Sequence, residues 1–312
     1  MTSKKSNFRP SSTGGRKNTL FKYMERLIAR LQNHGQFRTA ETYQSTLNSF
    51  QRFRQDKDLS FKKLNADLLS DYEYYLKTSG ITPNSTIFYL KKLRAVYNRA
   101  VEDGLTEDRN PFRKISTSPG KTVKRAIPLE TIRKLKELDL SHSPNKRFAR
   151  DMFLFSFYTR GMSFVDMALL QKSNLKDGTL SYRRKKTAQF LTMNWEPCMQ
   201  QISDEYASAI SSPYLLPIIG EPDGNIAQQC HKTLTFINRY LKDLGRDIGL
   251  TLPLTTYVAR HSWASIAHDE GIPLSVISEA MGHESERTTR IYIASLETQI
   301  IDKANKKILN KL

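Results

Sequence analysis

Cysteine is nearly missing from this chain: Cys198 and Cys230 are the two among 312 residues. Without His or Cys neighbours at ligand spacing they make neither a disulfide framework nor a zinc site, and they read as buried, inert thiols in a reducing compartment. No apolar run approaches the roughly 20 residues that cross a bilayer, and the basic N-terminus lacks the apolar core of a signal peptide. A cytoplasmic protein with no membrane partner is expected. A Gly-rich phosphate loop and an acidic metal-binding cluster are also missing, in keeping with a chemistry that uses no metal and no other cofactor.

Acidic residues are scarce as well, with 31 Asp+Glu against 49 Lys+Arg and a formal charge of +18. The excess is uneven: residues 1–125 hold 25 basic and 11 acidic side chains, net +14, which leaves net +4 for residues 126–312. Nucleic acid is the expected partner, because each neutralised phosphate releases counterions.

Residues 1–18 mix Ser, Thr, Gly, Lys and Arg and read as a flexible basic tail. From Thr19, a candidate N-cap, apolar residues recur at helical spacing: Leu20, Tyr23, Met24, Leu27, Ile28 and Leu31. Three more helices follow, from about Thr39, over Asn65 to Thr78, and from Thr82-Pro83, where proline suits the first turn. Residues 19–112 thus form a four-helix domain closed by Asn110-Pro111-Phe112. Its fourth helix presents Lys91, Lys92, Arg94 and Arg99 as candidate phosphate contacts. Residues 113–127, basic and poor in apolar side chains, read as a linker.

Residues 128–312 form the second domain. Helices are expected at Leu129 to Leu138, Asn145 to Tyr158, Ser163 to Leu170, Glu196 to Ala209 and Ala227 to Leu244. Between them, Thr179 to Tyr182 and Gln189 to Asn194 read as strands of a hairpin carrying Arg183 to Lys186. Arg184 lies two residues before Lys186, so on a strand both would share one face. Leu296, Ile300, Ala304, Ile308 and Leu312 mark a C-terminal helix over about 296–312 that docks on its own core or on a neighbour.

The chemistry concentrates between Thr256 and Tyr292, over what reads as three short helices. A tyrosine, with a solution pKa near 10, becomes a nucleophile only where cations stabilise its anion. Attack on a phosphodiester also builds charge on non-bridging oxygens, which guanidinium groups bind as a fork, and the leaving oxygen needs a proton from lysine or histidine. The segment Tyr257-Val258-Ala259-Arg260-His261-Ser262-Trp263-Ala264 resembles the His-x-x-Arg-His box of the tyrosine recombinases, or phage integrases. Met281-Gly282-His283, with Tyr292 nine residues after His283, resembles that family's Leu-Gly-His box and nucleophile. Lys186-Thr187 is similar to its Lys-Thr turn, and Phe155 to Phe164 resembles integrases of Bacteroides-type mobile elements.

The resemblance implies a mainly α protein with a small β-hairpin or sheet: a four-helix, SAM-like core-binding domain followed by a mixed α/β catalytic domain. It implies a site-specific recombinase that cuts and rejoins duplex DNA through a 3′-phosphotyrosyl bond and assembles on it as a tetramer. Tyr292 would be the nucleophile, Arg260 the phosphate clamp, His283 a donor to a non-bridging oxygen and Lys186 the general acid. Ser163 stands where the family has an arginine. Arg184 is the expected replacement and Arg160 the alternate, one helical turn before Ser163 if the helix has begun. Tyr257 occupies a histidine's place and is a poor general base. His261, turned about 100° from Arg260, is expected behind the site, and Asp166 could orient an arginine. These departures motivate a second reading, a DNA-binding protein of the same fold with impaired chemistry. A third is a DNA-relaxing topoisomerase of the same chemistry.

Overall fold

The computed structural model describes residues 18–115, 125–209, 213–293 and Leu309, without the side chains of residues 291–293. The chain divides into two compact units, Met1–Thr122 and Val123–Leu312.

Four α-helices occupy the described part of the first unit: α1 (Leu20–Asn33), α2 (Phe37–Arg54), α3 (Ala66–Thr78) and α4 (Pro83–Glu102). Thr19 precedes α1 in extended conformation, but its hydroxyl caps nothing; the chain is fixed there by Leu20 N donating to Leu59 O at 2.8 Å. Asn65 caps α3 by accepting from Leu68 N, and Thr82 caps α4 by accepting from Ser85 N, with Pro83 in the first turn. The apolar faces enclose Phe50, Leu69, Tyr72, Leu90 and Leu93, and Phe112 and Ile115 pack into the same core. Burial of side chains this large supplies roughly 1.5–3 kcal/mol each.

The second unit is built on α6 (Pro144–Tyr158), which follows α5 (Leu129–Glu137). Phe153 and Phe155 of α6 are fully buried, and the helix packs against α9 (Ile226–Asp247) and α10 (Thr256–Asp269). Between α6 and α9 come the short α7 (Phe164–Ala168), a sheet and α8 (Pro197–Glu205). The sheet has three antiparallel strands in the order β1 (Leu175–Lys176), β2 (Thr179–Arg183) and β3 (Phe190–Asn194). Leu180 pairs with Met193 and Tyr182 with Leu191, all four facing the core. The chain then turns through α11 (Leu274–Ala280) into α12 (Glu286–Ile293).

Several expectations change. β1 was not legible in the sequence, and the helix expected from Glu196 ends at Glu205, followed by a 3-10 turn at Ala207–Ala209. Cys198 and Cys230 are free but only partly buried, and burial pushes both thiols up, away from the reactive thiolate. The basic tail up to residue 17, most of the linker and all of the C-terminal helix except Leu309 lie outside the described residues. Among the described residues, no helix is long and apolar enough to cross a membrane and no cluster of His, Cys, Asp and Glu could hold a metal ion.

Candidate active site

Arg260 lies on α10 with 4% of its surface exposed. Its Nη1 donates to Gly161 O at 2.6 Å and its Nη2 to Met281 O at 2.7 Å, while Nη2 also lies 2.9 Å from His283 Nε2. Three of the five donors of the guanidinium are thereby fixed by groups from two segments, the Gly161 turn and the Met281–His283 turn. The close approach has a steric condition. Gly161 has φ +73°, and a Cβ there would stand 2.8 Å from Arg260 Cα, so only glycine fits.

His283 follows Gly282, whose φ of +64° turns the chain between α11 and α12. The imidazole Nδ1 lies 2.7 Å from the fully buried Thr289 hydroxyl on α12. Burial, followed by the charges of Arg260, Arg184 and Lys186, lowers its pKa to about 4, so the ring is neutral at neutral pH.

Arg184 reaches the same place from the sheet, though not by the route expected. β2 ends at Arg183, and residues 184–189 form the hairpin loop, with Arg184 N donating to Gln189 O and Ala188 at φ 56°. A strand alternation therefore does not govern Arg184 and Lys186: Arg184 turns inward and is 7% exposed, whereas Lys186 is exposed. Arg184 Nη1 donates to Gly282 O, next to His283. Its Nε is 3.9 Å from Asp166 Oδ2 and, although buried, makes no hydrogen bond among the described residues.

Ser163 has become a helix cap. Its hydroxyl accepts from Asp166 N at 3.4 Å and donates to Asp166 Oδ2 at 2.6 Å, at the start of α7. Asp166 Oδ1 accepts from Lys185 N at 2.8 Å. One buried carboxylate thus ties the serine, the hairpin loop and the Arg184 guanidinium together. Arg160 does not join this group by hydrogen bonds: its φ of 59° ends α6 without starting α7, and its Nη1 donates to Thr192 O on β3 at 3.3 Å. The helical-turn argument for Arg160 fails because Arg160 and Gly161 are left-handed.

Tyr257, 48% exposed on α10, meets His261 edge-to-face at 4.7 Å. His261 is lowered to about 4 by burial, then by Arg125 and Arg260. Tyr292 lies on α12, one turn after Thr289; its side chain is outside the described residues. Thr289, Gly161 and Gly282 were missed in the sequence. Gly282 stands inside the Met281-Gly282-His283 motif and Gly161 inside the Phe155 to Phe164 segment, and Thr289 lies between His283 and Tyr292 on the apparent helix face, which was the available signal.

The four basic residues of α4 fall on two faces. Lys91, Arg94 and Arg99 are exposed and Lys92 is half-buried. Lys92 Nζ sits 5.0 Å from the Tyr43 ring centroid and Arg99 lies 5.8 Å from the same ring. These are cation–π contacts worth about 0.5–1 kcal/mol each at such sites.

Comparison with known proteins follows this division. The phage integrase SAM-like domain matches residues 19–117, and the phage integrase family matches residues 171–299. Tyrosine recombinase XerA of Pyrococcus furiosus is 25% identical over 224 residues, covering 70% of this chain and 72% of the relative. Tyrosine recombinase XerC of Chromohalobacter salexigens is 21% identical over 281 residues, covering 86% and 89%. A lambda integrase tetramer bound to a Holliday junction has a similar fold, with TM-score 0.69 and 15% identity over 89% of this chain and 78% of that one. With two domain matches in order, relatives spanning both and the shared fold, this chain belongs to the tyrosine recombinase, or phage integrase, family.

Proposed function

We propose that the Arg260, His283 and Arg184 cluster is the phosphate site of a site-specific DNA recombinase, with Tyr292 as its nucleophile. The enzyme cuts and rejoins duplex DNA through a 3′-phosphotyrosyl intermediate. Tyr292 Oη attacks phosphorus and loses its proton, the bond to the 5′ oxygen breaks, and Lys186 supplies the proton to that oxygen. One phosphodiester is exchanged for another of similar energy, so rejoining is the same step reversed and needs no ATP.

The observation that carries this reading is the pair of buried guanidiniums, Arg260 held by the carbonyls of Gly161 and Met281 and Arg184 by that of Gly282, the residue before His283. Guanidiniums anchored by backbone carbonyls need little reorganisation as charge develops on the phosphate. Arg184 Nε, buried and without a hydrogen-bond acceptor among the described residues, would be satisfied by an anionic oxygen. This supports Arg184, rather than Arg160, as the replacement for the arginine absent at Ser163. Asp166 would hold that guanidinium in place.

Lys91, Arg94 and Arg99, all exposed, with the half-buried Lys92, would bind DNA phosphates from residues 19–112, and the linker 113–127 would join that domain to the catalytic domain 128–312. Two duplexes need four cuts and four protomers, and the apolar spacing of residues 296–312 supports docking on a neighbour as the contact between them. Deleting 296–312 should abolish tetramers on DNA; tetramers formed by the truncated protein would refute that assignment.

The function is tested with a nicked duplex carrying the recombination site. Wild-type protein should form a covalent adduct that survives denaturing electrophoresis, and Tyr292→Phe should form none. No adduct from the wild type would leave a DNA-binding protein of the same fold, and an adduct from Tyr292→Phe would displace Tyr292.

A further inference from the structure

His283 is held at both ring nitrogens, Nε2 by Arg260 at 2.9 Å and Nδ1 by Thr289 at 2.7 Å. A guanidinium only donates, so Nε2 accepts; the neutral ring then carries its proton on Nδ1 and donates to the Thr289 hydroxyl. Thr289 is 0% exposed, and it lies on α12 three residues, about one turn, before Tyr292. Among the described residues, the charged groups acting on the ring are Arg260 from α10 and Arg184 and Lys186 from the β2–β3 loop. All three oppose a second proton on the imidazole.

This ring state does not suit the role assigned to His283 above, because a nitrogen holding a lone pair cannot donate to a phosphate oxygen. We propose that Thr289 is a positioning residue that lets His283 change which nitrogen donates. Its hydroxyl accepts from Nδ1–H while Nε2 is bound to Arg260. When a phosphate oxygen draws the Arg260 N–H away, Nε2 takes a proton from solvent and donates to the phosphate, and Nδ1 returns its proton to solvent. The Thr289 hydroxyl then rotates and donates to Nδ1. The ring ends neutral, with one proton gained and one lost. A hydroxyl can play both parts because it is donor and acceptor at once. The same contact ties α12, and with it the backbone of Tyr292, to the ring in both states.

The proposal rests on the recombinase reading, but its test does not depend on that chemistry. Side-chain nitrogen NMR of the full-length, histidine-labelled protein at neutral pH should show His283 protonated at Nδ1 and bare at Nε2. Thr289→Val, which leaves the Nδ1 proton without its acceptor while Arg260 still donates to Nε2, should move the Nδ1 resonance without changing the tautomer, and Thr289→Ser should restore the wild-type spectrum. In the adduct assay, Thr289→Val should slow covalent capture roughly tenfold at unchanged DNA affinity, the order expected for one neutral hydrogen bond, and Thr289→Ser should recover the rate. A wild-type ring protonated at Nε2, or a Thr289→Val spectrum identical to the wild type, would overturn the proposal. A wild type that forms no adduct would overturn the recombinase reading instead, and the ring spectrum would still decide the part of Thr289.

Discussion

In the N-terminal unit, Lys91 and Arg94 stand in solvent on α4 and Lys92 and Arg99 lie over the Tyr43 ring; in the C-terminal unit, Arg260 and Arg184 are 4% and 7% exposed and donate to carbonyl oxygens. A solvated cation attracts a polyanion from about 10 Å at moderate salt and needs no fixed geometry. A buried guanidinium loses hydration, which the carbonyls of Gly161, Met281 and Gly282 offset only if its position is fixed. The surface charges are therefore suited to capture of DNA, and the buried ones to work on a single phosphate.

The contrast breaks most visibly at Arg260. Arg260→Ala should lower the rate of covalent adduct formation by about 10³, the upper range for losing a preorganised donor to developing charge. DNA affinity measured by filter binding should change far less. A comparable loss in both would mean that Arg260 serves mainly in capture.

Gly161→Ala sharpens the same point through stability. The added Cβ would meet Arg260 Cα at 2.8 Å with φ at +73°, and overpacking together with the strained backbone should cost about 3 kcal/mol in urea unfolding. An unchanged midpoint would show that the Gly161–Arg260 contact can relax.

For the surface set, the double change Lys91→Ala with Arg94→Ala should reduce the slope of log affinity against log salt by about 1.8, or about 0.9 for each phosphate that is no longer neutralised. Folding stability should stay near wild type. Lys92→Ala should also cost about 0.5–1 kcal/mol of stability, because it removes a cation from the Tyr43 ring.

A smaller effect distinguishes the units by pH. His261 and His283 are both lowered from 6.5 to about 4 in the folded state. Between those values the unfolded chain binds more protons, so their contribution is complete above pH 6.5 and declines as pH falls toward 4. Unfolding midpoints across that range should fall with acid, and His261→Gln should flatten the decline. A midpoint that rises on acidification would reverse the assigned sign.

Much of the fold was legible because helices announce themselves by spacing: Leu20 to Leu31 on α1, and Thr82-Pro83 opening α4. The two-residue strand β1 was not, since a strand that short has no period to read. At the site, the resemblance of the motifs pointed to Arg260 and His283, which the structure brings together, and to Tyr292, whose side chain lies outside the described residues. The way Arg184 comes beside His283 could not be read: periodicity on a strand pointed to Arg184 for a reason the hairpin loop removes. Ser163 and Asp166 illustrate the converse. A serine three residues before an aspartate is a helix-cap pattern, readable in sequence, yet it stood at a position read for charge. Thr289 was hidden because a hydroxyl on a helix has many uses, and only the fold shows which ring it meets.

The central claim, that Arg260 and Arg184 together form the buried phosphate clamp, is tested most directly by comparing Arg184→Ala with Arg160→Ala in the covalent adduct assay. Arg184→Ala should lower adduct formation on the order of 100-fold, as for loss of one fixed donor, while Arg160→Ala keeps the wild-type rate. Normal cleavage by Arg184→Ala with loss in Arg160→Ala would contradict the account and move the second guanidinium to Arg160.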